Sequence, residues 1–276
     1  PHVGDHVVPV EHDEDLLDEL ARVRVGRSDR VPTMAARLTE LGMPLTVEDA
    51  YPIGYLGREF QLITRYERGE KGEDRYLVEP VLEFGFPRNG ELSISGPFLW
   101  GEGEPDGCDD VTLEQLYLLN QETRVLPAFA VIGKVHAPTG PESEGVDWTL
   151  KMAATKTLSR SWYLHQLHAN FAWTFNEKER PGERDGFYEA VLGYSARINN
   201  ETMFLADFVR DEDIERGIES NIFEAGVRYM LTPYAVLSGG VGFGVGDDSP
   251  DIRATLGIQI SLFGKYAMWR PAPRKD

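Results

Sequence analysis

At 276 residues and a formal charge of −18, with 41% apolar and 27% charged residues, the chain is long enough to bury a core and too apolar to be disordered. The acidic balance is the wrong sign for a phosphate-backbone binder, so no nucleic-acid partner is expected, and one cysteine, Cys108, excludes an internal disulfide or a multi-thiolate zinc site. No apolar run is long enough for a membrane helix, which leaves a transmembrane β-barrel open, since its apolar residues fall at every second position.

The chain opens at Pro1 with no charged and apolar leader, so either a signal peptide has been removed or the start has been trimmed. Residues 1–56 read as an N-terminal extension. His2, His6 and His12 stand beside an acidic run, and Leu16, Leu17, Leu20 and Val23 recur at helical spacing, with further helical turns expected over Met34–Leu41. The three histidines have no fixed spacing and no neighbouring cysteine, so no metal or haem cofactor is expected. The extension is too short for a core of its own; a plug of the lumen or a partner-binding segment are the two readings.

From Gly57 the period becomes that of a strand. Phe60, Leu62, Thr64 and Tyr66 alternate with Glu59, Gln61, Arg65 and Glu67, and the pattern recurs to Leu262. Twelve strands are expected, at about 57–68, 75–86, 90–100, 111–119, 124–136, 146–157, 162–175, 187–198, 201–209, 221–231, 233–245 and 252–263. Most are long enough to cross a bilayer at a tilt. The segments 111–119 and 201–209 alternate poorly.

The connections alternate too: short turns follow even-numbered strands, and longer charged loops follow odd-numbered ones. The six longer loops carry 22 acids against 6 bases, while the strands and turns between 57 and 263 are close to neutral. Strand length, even strand number and sorted loops favour an all-β, 12-stranded antiparallel transmembrane β-barrel over a soluble sandwich or lipocalin-like barrel, with the barrel at 57–263, a partly helical extension at 1–56 and a basic tail at 264–276.

Two sets of side chains follow from the alternation. Trp100, Trp148, Tyr163, Phe171, Trp173, Tyr229 and Phe243 belong to the lipid face, with those near strand ends suited to an aromatic girdle. Arg65, Glu79, Glu83, Lys134, His136, Lys151, His168, Arg197, Glu224, Arg228 and Arg253 belong to the lumen, either as a charged pore lining or as mutual ion pairs that fill it. Their mixed signs argue against strong ion selectivity, although the acidic loops would concentrate cations at the mouth. The run Gly239–Gly246 lies within a strand, not between strand and helix, so it reads as close packing or curvature and not as a nucleotide loop.

The segment Met43–Pro52 (MPLTVEDAYP), the hairpin 231–245 (LTPYAVLSGGVGFGV) and the closing strand to Leu262 and Phe263 resemble an outer-membrane family labelled transporters of the phenol-degradation (meta) pathway. That resemblance implies a bacterial outer-membrane location and passive passage of small, apolar or aromatic solutes, without catalysis. The chain departs from the usual pattern of such barrels by continuing past Phe263, which is out of phase with Ile258, Ile260 and Leu262. The competing function is a structural anchor that holds a periplasmic or surface protein through 1–56 or 264–276. A phospholipase-like enzyme lacks a convincing Ser/His/Asn set.

Overall fold

On β1 (Arg58–Arg68) the buried positions are Glu59, Gln61, Ile63, Arg65 and Glu67, and the outward ones include Phe60, Leu62 and Tyr66. This inverts the burial order of a soluble sheet: ionisable groups go inside and aromatics outside, as a wall between lipid and a polar interior requires. The computed structural model describes residues 44–69, 72–102, 106–141, 143–159 and 164–263. The helices expected in the extension, the basic tail and Tyr163 lie outside the described residues.

Fourteen strands make twelve staves. After β1 come β2 (Asp74–Phe84), β3 (Gly90–Ser95), β4 (Phe98–Gly101), β5 (Gly107–Cys108), β6 (Val111–Asn120), β7 (Ala128–Ala137), β8 (Asp147–Ser159), β9 (His165–Phe175), β10 (Gly186–Arg197), β11 (Thr202–Glu212), β12 (Glu219–Thr232), β13 (Ala235–Gly244) and β14 (Ile252–Phe263). Each stave pairs antiparallel with its neighbours, and β1 closes on β14 from Arg58 opposite Phe263 to Arg68 opposite Ile252. β3 and β4 are one stave, both paired with β2, interrupted at Gly96 and Pro97, where the missing Pro97 amide breaks the ladder. β5 and β6 form the next stave.

The boundaries hold to within a few residues, with two informative departures. Residues 124–127, expected in strand, instead fold into a closed turn. There Thr123 and Leu126 exchange backbone and hydroxyl bonds of 3.0 and 2.9 Å, and Asn120 Nδ2 donates to Pro127 O at 2.8 Å. That turn, 121–127, is as long as some loops at the other rim, so the loops sort more cleanly by charge than by length. At the other rim β11 runs on to Glu212 and β12 begins at Glu219, which turns Asp211 and Ser220 inward. Part of the acidity expected in a loop therefore belongs to the outer end of the lumen.

Register shifts at Arg58/Glu59, Leu118/Asn120, Thr157/Ser159 and Met230/Thr232 all fall at the short-turn rim. Bulges there steepen the local strand twist next to the turns. In outer-membrane barrels that rim faces the periplasm.

Candidate functional site

Residues 44–53 run inside the barrel without helix or strand, bending at 44–46 and at Ala50, with prolines at 44 and 52. Such a segment leaves its buried main-chain amides in need of partners. The wall supplies them in succession. Thr46 N donates to Glu224 Oε2 on β12 at 3.2 Å, Val47 N to Asp207 Oδ2 on β11 at 2.8 Å, and Glu48 N to Asn170 Oδ1 on β9 at 2.8 Å. Ala50 N donates to Thr155 Oγ1 on β8 at 3.0 Å, and Ile53 N to Glu91 Oε2 on β3 at 2.7 Å. The segment thus follows the inner wall from β12 round to β3, an inner belt whose amides point outward into the wall.

Its side chains explain the two strands that alternate poorly. Leu45 and Val47 pack with Val191, Leu205, Val209 and Ile222, and Met203 lies against this cluster. Ala50 packs with Leu116, Leu118, Ala128, Ala130, Ile132 and Ala153, with Tyr51 against them. β6 and β11 therefore carry leucines and valines on their inner face where the belt covers them. Inward glycines make the room: a Cβ at Gly193 would stand 2.4 Å from Val47 Cγ2, and one at Gly240 would stand 2.8 Å from Leu45 Cδ2. At Gly240 and Gly226 the glycines allow close packing, as the run at 239–246 suggested.

Around the belt the polar wall is dense. Glu48 reaches Lys151 at 3.3 Å and Lys134 at 3.8 Å, Lys134 also pairs with Glu114 at 2.9 Å, and Lys151 with Glu189 at 4.0 Å. Arg253 lies between Glu67 and Glu224 and donates to Thr46 Oγ1 at 3.4 Å. Two histidines span hydroxyls. His136 bridges Thr112 at 2.9 Å and Thr149 at 3.0 Å, and His168 bridges Thr155 at 3.1 Å and Ser195 at 2.9 Å.

Of the eleven expected lumen residues, Arg65, Glu79, Lys134, His136, Lys151, His168, Glu224 and Arg253 are buried inside the barrel, and Glu83, Arg197 and Arg228 are half-buried near the short-turn end. The belt joins Lys134 and Lys151 through Glu48, and Glu224 and Arg253 through Thr46. Arg65 is held instead by Thr255, at 3.2 Å, and Arg228 by Gln259, at 2.6 Å. Glu83 accepts from Gln61. Of the expected lipid-face aromatics, Trp100, Trp148, Phe171, Trp173, Tyr229 and Phe243 are all exposed on the outside of the barrel. Cys108 is exposed. The sequence reading missed Glu91, Thr155, Asn170 and Asp207, the wall acceptors for the belt; the signal was their place on the inward positions of their strands.

Comparison with known proteins agrees with this architecture. A family model described as "Putative MetA-pathway of phenol degradation" matches residues 61–262. No curated protein matches the sequence significantly. The COG4313 outer membrane channel from Pseudomonas putida F1 superposes with a TM-score of 0.60 at 15% identity, over 78% of this chain and 98% of that one. The NanC porin gives 0.56 at 11% identity, over 74% and 100%, and the KdgM porin in complex with disordered oligogalacturonate gives 0.56 at 8%, over 74% and 99%. At such identities the likeness is one of fold: an outer-membrane barrel of twelve staves.

Proposed function

The chain belongs to the family described as the MetA-pathway of phenol degradation, and on that premise we propose that it is a passive outer-membrane channel for small solutes, narrowed by its own residues 44–53. The observation that carries the reading is the combination of an ionisable, hydroxyl-rich interior with an inner belt held by side-chain acceptors. A wall built only to hold the barrel together has no need of acceptors aimed at a separate segment. The mechanism is diffusion down a gradient through a lumen whose width depends on the belt. No step requires a nucleophile or a general base, and Glu224, Asp207 and Glu91 hold the belt.

The resemblance implied apolar or aromatic solutes. The interior of this chain is lined by ionisable and hydroxyl-bearing groups, and small polar solutes fit it better. The test is single-channel recording in planar bilayers with the full chain beside one lacking residues 1–53. Discrete steps in both, larger in the shortened chain, are expected. Silence in both, with heat-modifiable gel migration showing a folded barrel, would overturn the channel reading in favour of an anchor that holds a partner protein.

A further inference from the structure

The turn between β6 and β7 hides its polar atoms and shows its apolar ones. β8 runs four residues past its last β7 partner, from Lys156 to Ser159, and residues 121–127 lie along that overhang. Glu122 Oε1 accepts Thr157 N at 2.9 Å and Lys156 Nζ at 3.0 Å, and Oε2 accepts the Thr157 hydroxyl at 2.7 Å. Lys156 spends its other two donors on Thr123 O, at 2.7 Å, and Arg124 O, at 3.2 Å. Asn120 Nδ2 serves Gln121 O and Pro127 O, and Thr123 N serves Leu126 O, so five of the seven turn carbonyls are bonded. The tip is left to Val125, 81% exposed, and Leu126, 57% exposed.

A turn in water gains little by collecting its own carbonyls, because water bonds them; at the edge of a bilayer that solvation is lost. The turn between β10 and β11, at the same rim, takes the opposite course and exposes Asn199, Asn200 and Glu201. Direction separates the two further. Thr155 points inward to Ala50, so Lys156, the next residue, stands on the outward face of β8, opposite the outward Leu167 of β9. The carbonyls that Lys156 gathers therefore lie towards lipid. The tip continues an apolar surface that Leu119 and Leu158 expose at the ends of β6 and β8. Glu122 is matched by Lys156, which leaves the exposed Arg124 to give the tip a positive charge suited to lipid phosphates.

We propose that residues 121–127 are a membrane foot, which seats Val125 and Leu126 in the phospholipid leaflet on the periplasmic side with Arg124 at the level of its phosphates. The occupant is lipid because the tip is continuous with the lipid face of β6 and β8 and is held towards it by Lys156. The foot is independent of what the lumen conducts.

The test uses the full chain with Cys108→Ser, labelled with bimane at a new thiol, in vesicles of phosphatidylcholine and phosphatidylglycerol at roughly three to one. Val125→Cys and Leu126→Cys report on the foot and Asn200→Cys on the polar turn of the same rim. Heat-modifiable migration shows that each barrel is folded. Phosphatidylcholine carrying a doxyl group on its acyl chain then quenches labels that enter the leaflet, whichever way the barrels face. Quenching at position 125 or 126 is expected to exceed that at position 200 by about threefold or more. Equal quenching at the two turns would overturn the foot. Weak quenching at both would also assign the apolar tip to a periplasmic protein instead of lipid.

Discussion

Thr46 donates both its main-chain amide and its hydroxyl to a single carboxylate oxygen, Oε2 of Glu224, at 3.2 and 2.7 Å, across 178 residues of sequence. The other oxygen of Glu224 faces Arg253 Nη1 at 3.4 Å. One side chain therefore ties the belt to the wall and the wall to itself.

Glu224→Ala removes both belt bonds but leaves Arg253 its partner Glu67. Hydrogen bonds to a charged group contribute about 1.5–3 kcal/mol each, so the belt-free fraction should rise about tenfold or more. Single-channel open probability reads this directly. An unchanged or lower open probability would show that Glu224 does not hold the belt.

Packing gives a second handle on the belt without touching a charge. An ideal Cβ at Gly193 meets Val47 Cγ2 at 2.4 Å and Val47 Cβ at 2.8 Å, so Gly193→Val leaves no room for Val47. With Cys108→Ser and Val47→Cys in place, the thiol at 47 should react with a water-soluble maleimide about tenfold faster in the Gly193→Val chain than in its Gly193 parent. Equal rates would mean that the belt stays seated.

On the outside, Phe171 stands on the lipid face of β9, about half exposed and stacked on Tyr188 with ring centroids 6.1 Å apart. Phe171→Arg should cost about 2–4 kcal/mol of barrel stability if it lies near the bilayer midplane, and Phe171→Leu far less. Denaturant unfolding from lipid vesicles, followed by tryptophan fluorescence, measures the difference. Comparable stability for the two variants would place this face away from lipid.

The outer rim carries a pH-dependent loop. Asp110 accepts the amides of Thr139 and Gly140 at 3.0 and 2.9 Å, and the hydroxyl of Ser143, which folds the loop after β7 onto the end of β6. Next to it, burial pushes the Asp109 carboxyl up from 3.8 to about 6, with the charge of Asp110 adding to the rise and the Asp110 amide opposing it. A raised carboxyl means that the folded loop binds the proton more tightly than the open one. Its contribution is complete below about pH 4 and is lost as the pH rises through about 6. Amide exchange at Thr139 and Gly140, corrected for the intrinsic rate, should show protection falling across that window, and Asp109→Asn should flatten it. Protection that rises with pH would contradict the assignment.

The barrel was legible because each lipid-facing strand carries its message locally, in a period of two. Even the length and charge of the loops survive in the linear order. The belt carries no period of its own, and its partners lie between 38 and 178 residues away. Its one visible trace was negative: 111–119 and 201–209 alternate badly because Leu116, Leu118, Leu205 and Val209 turn inward to meet it. Poor alternation inside an otherwise regular barrel is thus the mark of something packed within. The break at Gly96 and Pro97 falls in a stretch expected as one strand over 90–100; the proline that cannot donate to the ladder at mid-stave was the signal passed over.

Where the belt leaves the lumen, the chain reverses through residues 54–57. Leu56 takes a φ of 64°, Gly57 N donates to Gly54 O at 2.7 Å, and a Cβ at Gly85 would stand 2.0 Å from that same oxygen. This reversal sets an order of assembly. The belt precedes β1 in the chain, yet its acceptors lie on β3, β8, β9, β11 and β12, inside a ring that exists only once β1 has met β14. A segment of this kind is threaded before or during closure of the seam, and the loops it closes are among the longest in the molecule, which slows their formation. The last strand to be made therefore shuts the door on residues 44–53, already inside.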